Sequence, residues 1–136
     1  GGGRVTLTVS PFVPKANTPF QWLGMAPLPV LESRLATLKD RLHSKGVPVK
    51  SESLAWSLVQ GSLARGDASL ASVLTDIETV SLSGWRKALA AHGIDADPAL
   101  AALPREAALP WDVIDSGTAK EHLARELDRA LAAGDG

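Results

Sequence analysis

The stretch Ser10–Trp22, SPFVPKANTPFQW, combines polar side chains that can bind a ligand with aromatic side chains that can pack against one. It follows the strand candidate Val5–Val9, in which three apolar residues alternate with two threonines. Three prolines then fix φ and remove backbone donors, so this segment, the opening loop, is extended and irregular. Such a loop at the carboxyl end of a strand commonly contacts ligands. The alternative is that its aromatic residues only pin it to the domain, and both interpretations stay open.

A second group of chemically capable side chains lies in Leu109–Gly117, the second loop, where Asp112 and Asp115 alternate with aromatic and apolar residues. In one interpretation Trp111 is buried and the carboxylates bind backbone amides or arginines. In the other, one carboxylate contacts substrate or carries a proton. We favour packing, because the sequence shows no identifiable partner for these acids.

The three histidines do not indicate a metal site. His43, His92 and His122 lie 49 and 30 residues apart, which matches no local metal-ligand spacing. We expect solvated or helix-capping roles for them. The chain also lacks a G-x-S-x-G nucleophile elbow and a glycine-rich phosphate loop, so neither a serine hydrolase nor a nucleotide site is indicated.

The tripeptide Arg65-Gly66-Asp67 has the composition of a cell-adhesion motif. It lies between two helical patterns, where a glycine ends the first helix and an aspartate can cap the second. The sequence therefore favours a structural role for this tripeptide.

The opening loop also resembles a segment of a known family. SPFVPKANTPFQW is similar to the segment after the sixth barrel strand of radical S-adenosylmethionine (radical SAM) enzymes, especially the group that also carries a cobalamin-binding domain. The similarity continues in family order through Leu63–Asp67, Ser83–Trp85 and Leu109–Gly117. The resemblance implies the C-terminal part of an iron–sulfur oxidoreductase or transferase, with no indication of its substrate.

Carried over by position, the resemblance implies two groups of site residues in the opening loop. The first would lie beside the adenine of S-adenosylmethionine, through backbone groups and an apolar face: Val9, Ser10, Pro11 and Phe12. The second would line or close the substrate entrance: Lys15, Thr18, Phe20, Gln21 and Trp22. Other parts of the enzyme would hold the methionine end of the cofactor.

The chain contains no cysteine. The family binds its [4Fe–4S] cluster through thiolates, so these residues cannot anchor the cluster. The resemblance therefore implies a longer parent that supplies the rest of the barrel as partner and uses the cluster and S-adenosylmethionine as cofactors. The cobalamin-associated group adds cobalamin as a candidate cofactor. We do not expect the isolated chain to be active.

The elements that position both loops follow a β-α-β order and then become helical. A leucine stripe predicts a helix from about Pro29 to Lys45, and Val47–Lys50 is a short strand candidate. This order predicts the last unit of a parallel sheet. We expect a helix-rich α/β fold, with the last strands of a partial (β/α) barrel in residues 1–50 and a helical C-terminal extension in residues 51–136.

Composition and charge are those of an ordinary globular chain. Fourteen basic and fifteen acidic side chains give a net charge of −1, which implies no general affinity for nucleic acid or for anionic membranes. No secretory signal and no apolar stretch of spanning length are visible, so we expect a cytoplasmic location.

A second hypothesis comes from a different class: a stand-alone helical binding or oligomerisation module without catalysis. In the fragment hypothesis an open barrel piece leaves a strand edge prone to pairing, so we expect a homodimer or strand exchange to cover that edge. A metal-dependent hydrolase is disfavoured, because no metal-ligating residues cluster in the sequence.

Overall fold

The computed structural model describes residues 3–134 of the chain. These residues form one sheet of two parallel strands and are otherwise rich in helix, which confirms the helix-rich part of the fold prediction. Two strands alone do not make a barrel. In chain order the elements are β1 (Leu7–Val9), a 3₁₀-helix (Pro19–Trp22), α1 (Leu28–His43), β2 (Val49–Ser51), α2 (Leu54–Arg65), α3 (Ser69–Thr75), α4 (Leu82–Ala91), α5 (Asp97–Leu100) and α6 (Lys120–Gly134).

β1, α1 and β2 form the parallel unit that the sequence predicts. Leu7 lies opposite Val49, and its N–H donates to the carbonyl of Pro48 at 2.9 Å. β1 is shorter than the predicted strand over residues 5–9. In this parallel register the carbonyl of Val5 would accept from residue 48, and because Pro48 has no N–H the ladder begins only at Leu7.

The chain covers this unit incompletely. Leu7 is 37% exposed and Val5 is 66% exposed, so the predicted half-buried alternation of β1 is not present. α1 has no buried residue. Its predicted stripe is only partly buried and consists of Leu31, Leu35, Leu38 and Leu42. An apolar surface on β1 and α1 therefore has no complete partner layer within residues 3–134.

Helices α2, α3 and α4 enclose the first hydrophobic cluster, whose buried residues are Val59, Leu70, Val73, Trp85 and Ala88. Hydroxyl caps begin two of these helices. Ser53 Oγ accepts from the N–H of Trp56, and Ser81 Oγ accepts from the N–H of Gly84 at 3.0 Å. Each cap satisfies a backbone donor that the first helical turn leaves unpaired.

Arg65–Asp67 lies at the junction of α2 and α3, as the sequence predicts, although the N-cap of α3 is Ala68 and not Asp67. α2 ends at Arg65, and Asp67 Oδ1 accepts from the N–H of Ser69 at 2.8 Å at the start of α3. The Arg65 side chain is buried, at 3% exposure. It is therefore inaccessible to a receptor that would read the tripeptide.

The second hydrophobic cluster joins α6 to the 3₁₀-helix and the second loop. Its buried residues are Trp22, Leu109, Trp111, Leu123 and Leu127. Three of them come from the two loops that the sequence singles out, so this cluster positions the candidate site. Across the described residues, no helix combines the length and the apolar character needed to cross a membrane.

Candidate functional site

The first predicted group, Val9–Phe12, lies at the carboxyl end of β1. Val9 and Pro11 are partly buried, whereas Ser10 is exposed and Phe12 is 49% exposed. The Phe12 ring meets Phe20 edge to face, with the ring centroids 5.8 Å apart. The two phenylalanines thus form an accessible aromatic pair instead of core, an arrangement in which they can contact another molecule.

In the second predicted group, Lys15, Thr18 and Phe20 remain at or near the surface. Thr18 Oγ1 donates to the carbonyl of Lys15 at 2.8 Å, which closes a tight turn ahead of the 3₁₀-helix. Asn17 within this turn has a φ of +56°, in the left-handed region that asparagine tolerates better than most residues. The turn therefore holds the loop in one conformation.

Gln21 and Trp22, the other two residues of that group, are each only 2% exposed. Gln21 Oε1 accepts from the indole Nε1 of Trp111 at 2.7 Å and from the backbone N–H of Asn17 at 3.1 Å. One buried amide thereby links the opening loop to the second loop, 90 residues later. Trp22 is buried in the second hydrophobic cluster and so anchors the opening loop to the domain, as the packing interpretation expects. Gln21 links that loop to the second loop by its hydrogen bond with Trp111.

Arg105 stacks its guanidinium on one face of the Trp22 ring. Its guanidinium carbon lies 5.1 Å from the centroid of the indole ring, a cation–π distance. The same guanidinium donates to the carbonyl of Ala124 at 3.2 Å and to Asp128 Oδ1 at 2.9 Å, both on α6. Arg105 therefore ties the tryptophan to the last helix, a role that no sequence pattern indicates.

The carboxylates of the second loop bind partners within the chain. Asp112 Oδ2 accepts from the N–H of Leu109 and from Lys120 Nζ, each at 2.8 Å, and Lys120 also donates to the carbonyl of Ala107. Asp115 Oδ1 accepts from the N–H of Gly117 at 2.8 Å. Trp111 is buried. These contacts support the packing interpretation, with a lysine as the cationic partner instead of an arginine.

The two loops border a cleft of about 430 Å³ that is open to solvent, which we name the inter-loop cavity. Its lining is mostly polar: Asn17, Gln21, Asp112, Val113, Ile114, Asp115, Ser116, Thr118, Lys120 and Leu123. The volume suits a small molecule. The structure thus joins both chemically capable segments of the sequence in one concave site.

The histidines lie elsewhere. His92 follows α4, and its Nε2 contacts Asp76 Oδ2 at 2.7 Å, while His43 and His122 are exposed on α1 and α6. No group of three potential metal-ligating side chains comes together in the part of the chain that the structure describes. The inter-loop cavity is the candidate site because residues of both loops line it, and its polar and charged lining suits recognition by hydrogen bonds and charge.

The Asp112 contacts predict a specific pH dependence of stability. Lys120 and, secondly, the Leu109 N–H lower the pKa of Asp112 below its ordinary value. A lowered folded-state pKa gives stability that is complete above the unfolded-state pKa of about 3.9 and is lost as the pH falls through the folded-state value. Asp112→Asn should therefore be less stable than the unsubstituted chain at pH 7 and lose less further stability below about pH 4.

Urea denaturation at a series of pH values between about 7 and 2.5 measures this difference. Asp40→Asn, a substitution of an exposed aspartate on α1, is the matched control and should keep the acid dependence of the parent. An Asp112→Asn profile parallel to the parent profile over the whole range would show that the Lys120 contact does not couple to folding.

Comparison of the chain with models of known families, with curated proteins and with solved structures finds no match.

Proposed function

We propose that this chain is the C-terminal portion of a radical SAM enzyme of the cobalamin-associated kind, in which β1 and β2 continue a larger parallel barrel. The observation that supports this proposal most is that β1, α1 and β2 form a parallel unit whose apolar residues remain largely exposed. Parallel sheets are normally protected on both faces and at their edges, and a two-stranded sheet has little stability by itself. A parent barrel would supply the missing strands and the missing apolar layer.

The backbone of the sheet supports this role. In the observed register, Leu7 and Val9 direct their backbone groups toward β2, so those of Thr6, Thr8 and Ser10 point to the other side of β1. None of these three residues is proline, and all of them are exposed. This edge can therefore accept a further parallel strand along its whole length.

Of the two cofactors that the resemblance implies, this chain has residues suited to S-adenosylmethionine but none suited to the cluster. The [4Fe–4S] cluster does not fit this chain, because no thiolate ligand is present, so the parent would bind it elsewhere. S-adenosylmethionine fits in part: Val9–Phe12 follow β1, Ser10 is exposed, and Phe12 is about half exposed. When bound in the parent, the cluster and S-adenosylmethionine supply radical chemistry, and this chain would bind the adenine side and shield it from water.

The proposal is tested first on the parent reading frame. The DNA upstream of the codon for Arg4 should continue in frame for several hundred residues and encode a C-x-x-x-C-x-x-C motif. The purified parent, reconstituted anaerobically with iron and sulfide and then reduced, should release 5′-deoxyadenosine from S-adenosylmethionine. A start codon directly upstream of Arg4, or a parent without that motif, would end the radical-enzyme proposal.

Phe12→Ser in the parent tests the adenine side. This substitution should raise the KM for S-adenosylmethionine, because an exposed aromatic face at the cofactor is lost. Val80→Ser is the matched control, since Val80 is 87% exposed and lies far along the chain from the opening loop. An equal KM for both variants would remove Phe12 from the cofactor site.

A stand-alone helical module is the second candidate, favoured by the two hydrophobic clusters, which close within the chain. Hydrogen exchange on the isolated chain separates the candidates. An autonomous module protects the β1 and β2 amides as strongly as those of α6. A barrel fragment protects α6 while β1 and β2 exchange rapidly, unless two copies pair through the open edge, which sedimentation at two concentrations reveals.

A further inference from the structure

Charge is divided unevenly along the chain. Residues 1–50 carry seven basic and two acidic side chains, whereas residues 51–136 carry seven basic and thirteen acidic side chains. The unit of β1, α1 and β2 therefore lies mostly in the positively charged part, and the helices that follow lie in the negatively charged part. Since opposite charges attract, a segment that covers the open side of this unit is favoured if it carries acidic groups.

One flank of α1 concentrates the positive charge. At about 3.6 residues per turn, Val30, Arg34 and Arg41 project within about 40° of one another, next to the leucine stripe, and we name them the basic flank. All three are exposed. The two acidic residues of α1, Glu32 and Asp40, project to other sides of the helix. The ion pairs of the described residues use neither arginine, so they do not neutralise the charge of this flank.

The topology of the sheet indicates what lies against the basic flank. The open edge of β1 can accept a further parallel strand, and such a strand connects to β1 through a crossover, usually an α-helix. Crossovers of this kind are right-handed, so the added helix lies beside α1 on the same face of the sheet and points in the same direction. The leucine stripe is the partly buried side of α1, which contacts β2. With that stripe toward the sheet, a right-handed unit directs the basic flank to the side of the open edge.

We propose that the basic flank binds an acidic amphipathic helix, the crossover helix that leads into β1 in the parent. Its apolar side packs on Val30 and the adjoining leucine stripe, and its carboxylates pair with Arg34 and Arg41. The two arginines stand seven residues apart, which is about 10 Å along the axis. A helix parallel to α1 therefore reaches both with acidic residues about seven positions apart. Only the placement of this helix in a barrel rests on the proposed function.

The composition of α1 favours a protein partner over a lipid or a nucleic acid. α1 contains no aromatic residue. Helices that lie in membrane interfaces carry tryptophan or phenylalanine on the apolar side, and single-stranded nucleic acids stack on aromatic rings. A helix that offers both leucines and carboxylates matches the two kinds of side chain that this surface presents.

Titration of the ¹⁵N-labelled chain with a model helix tests the proposal. The probe is a peptide of about 18 residues, close to the length of α1, with leucines on one face and glutamates about seven residues apart beside them. In the comparison peptide lysine replaces every glutamate. At low ionic strength the glutamate peptide should shift the α1 backbone amides saturably and bind at least about fivefold more tightly than the lysine peptide. Equal binding of the two peptides, or no saturable shift, would overturn the proposal.

Arg34→Glu combined with Arg41→Glu should weaken binding of the glutamate peptide about fivefold or more, because two attractive pairs become repulsive. Arg86→Glu combined with Lys87→Glu makes the same change in net charge at exposed positions on α4 and should bind as the unsubstituted chain does. Circular dichroism verifies that both double variants are folded. Equal weakening by the two double variants would assign the binding to net charge and overturn the role of the basic flank.

Other occupants give different results. Unstructured polyglutamate or phosphatidylglycerol vesicles that shift the α1 amides as strongly as the probe would identify a general anion surface. A dimer in sedimentation that Arg34→Glu with Arg41→Glu abolishes would assign the flank to a second copy of the chain. Either result would overturn the acidic helix as the occupant.

The parent reading frame tests the identity of the helix. Shortly upstream of the codon for Arg4 it should encode an amphipathic helix with acidic residues about seven positions apart. A parent that has the cysteine motif but a neutral or basic helix there would overturn this inference and leave the radical-enzyme proposal intact. A start codon directly upstream of Arg4 would end the radical-enzyme proposal, and a positive titration would still support the binding of a separate acidic helix.

Discussion

Trp111→Ala should lower the free energy of unfolding by about 3–5 kcal/mol, the usual loss for a buried tryptophan. Trp111 is 6% exposed and lies in the cluster that joins α6 to the opening loop. Its removal leaves a cavity among Trp22, Leu123 and Leu127, and it also removes one of the two donors to Gln21. Urea denaturation followed by far-ultraviolet circular dichroism measures the loss.

Trp56→Ala is the matched control, because the same atoms are deleted at a position on α2 that is 40% exposed and outside both hydrophobic clusters. We expect about 1 kcal/mol or less there. Similar losses for the two variants would mean that the second cluster does not carry the stability of the fold.

Trp111→Phe separates packing from hydrogen bonding. Phenylalanine keeps most of the apolar contact and lacks the indole N–H, so Gln21 Oε1 retains only the Asn17 donor. We expect a loss of about 1–3 kcal/mol, smaller than that of Trp111→Ala. A loss equal to that of Trp111→Ala would assign the whole effect to the hydrogen bond.

The local elements follow from the sequence because short-range signals specify them. The strand-forming residues of Val5–Val9, the leucine stripe of α1 and the Asp67 carboxylate that accepts from the Ser69 N–H each act within a few residues. The length of β1 also depends on its register against β2. In that register Pro48, which has no N–H, faces the residues just before Leu7, so the strand begins at Leu7. Register is a long-range property, so the periodicity of one strand cannot supply it.

The sequence predicts which two segments form the candidate site, but it does not predict the contacts between them. Composition singles out both loops, yet the Gln21–Trp111 hydrogen bond spans 90 residues and depends on how α6 packs against the 3₁₀-helix. Lys120 and Arg105 give no signal, because basic residues of this kind usually indicate a solvated surface. For the same reason the sequence does not indicate that Arg65 is buried, because a basic residue at a helix C-terminus is usually exposed.

Arg65→Ala should destabilise the fold by about 2–4 kcal/mol, because Arg65 connects three segments from a buried position. Its two terminal nitrogens donate to the carbonyl of Leu23 at 2.8 Å and to the carbonyl of Ala101 at 3.1 Å. It makes no salt bridge within the described residues, and burial lowers its pKa. The guanidinium stays protonated at neutral pH, since arginine does not lose its proton in proteins.

Two effects of opposite sign determine how Arg65 changes the free energy of unfolding, and the Arg65→Met variant shows which of them is larger. Burial of an unpaired charge costs free energy, so removing it is favourable, whereas the two carbonyls lose their donors, which is unfavourable. Methionine keeps the apolar stem. A loss of about 1–3 kcal/mol for Arg65→Met would show that the hydrogen bonds outweigh the cost of burial.

Arg86→Ala, at an exposed arginine of α4, provides the baseline and should change stability by no more than about 0.5 kcal/mol. If Arg65→Met is as stable as the parent while Arg65→Ala is not, the stem alone stabilises the junction of α2 with the loops. If both variants match Arg86→Ala, Arg65 does not hold this junction together, and the clusters around Trp22 and Trp85 stabilise it without a polar link.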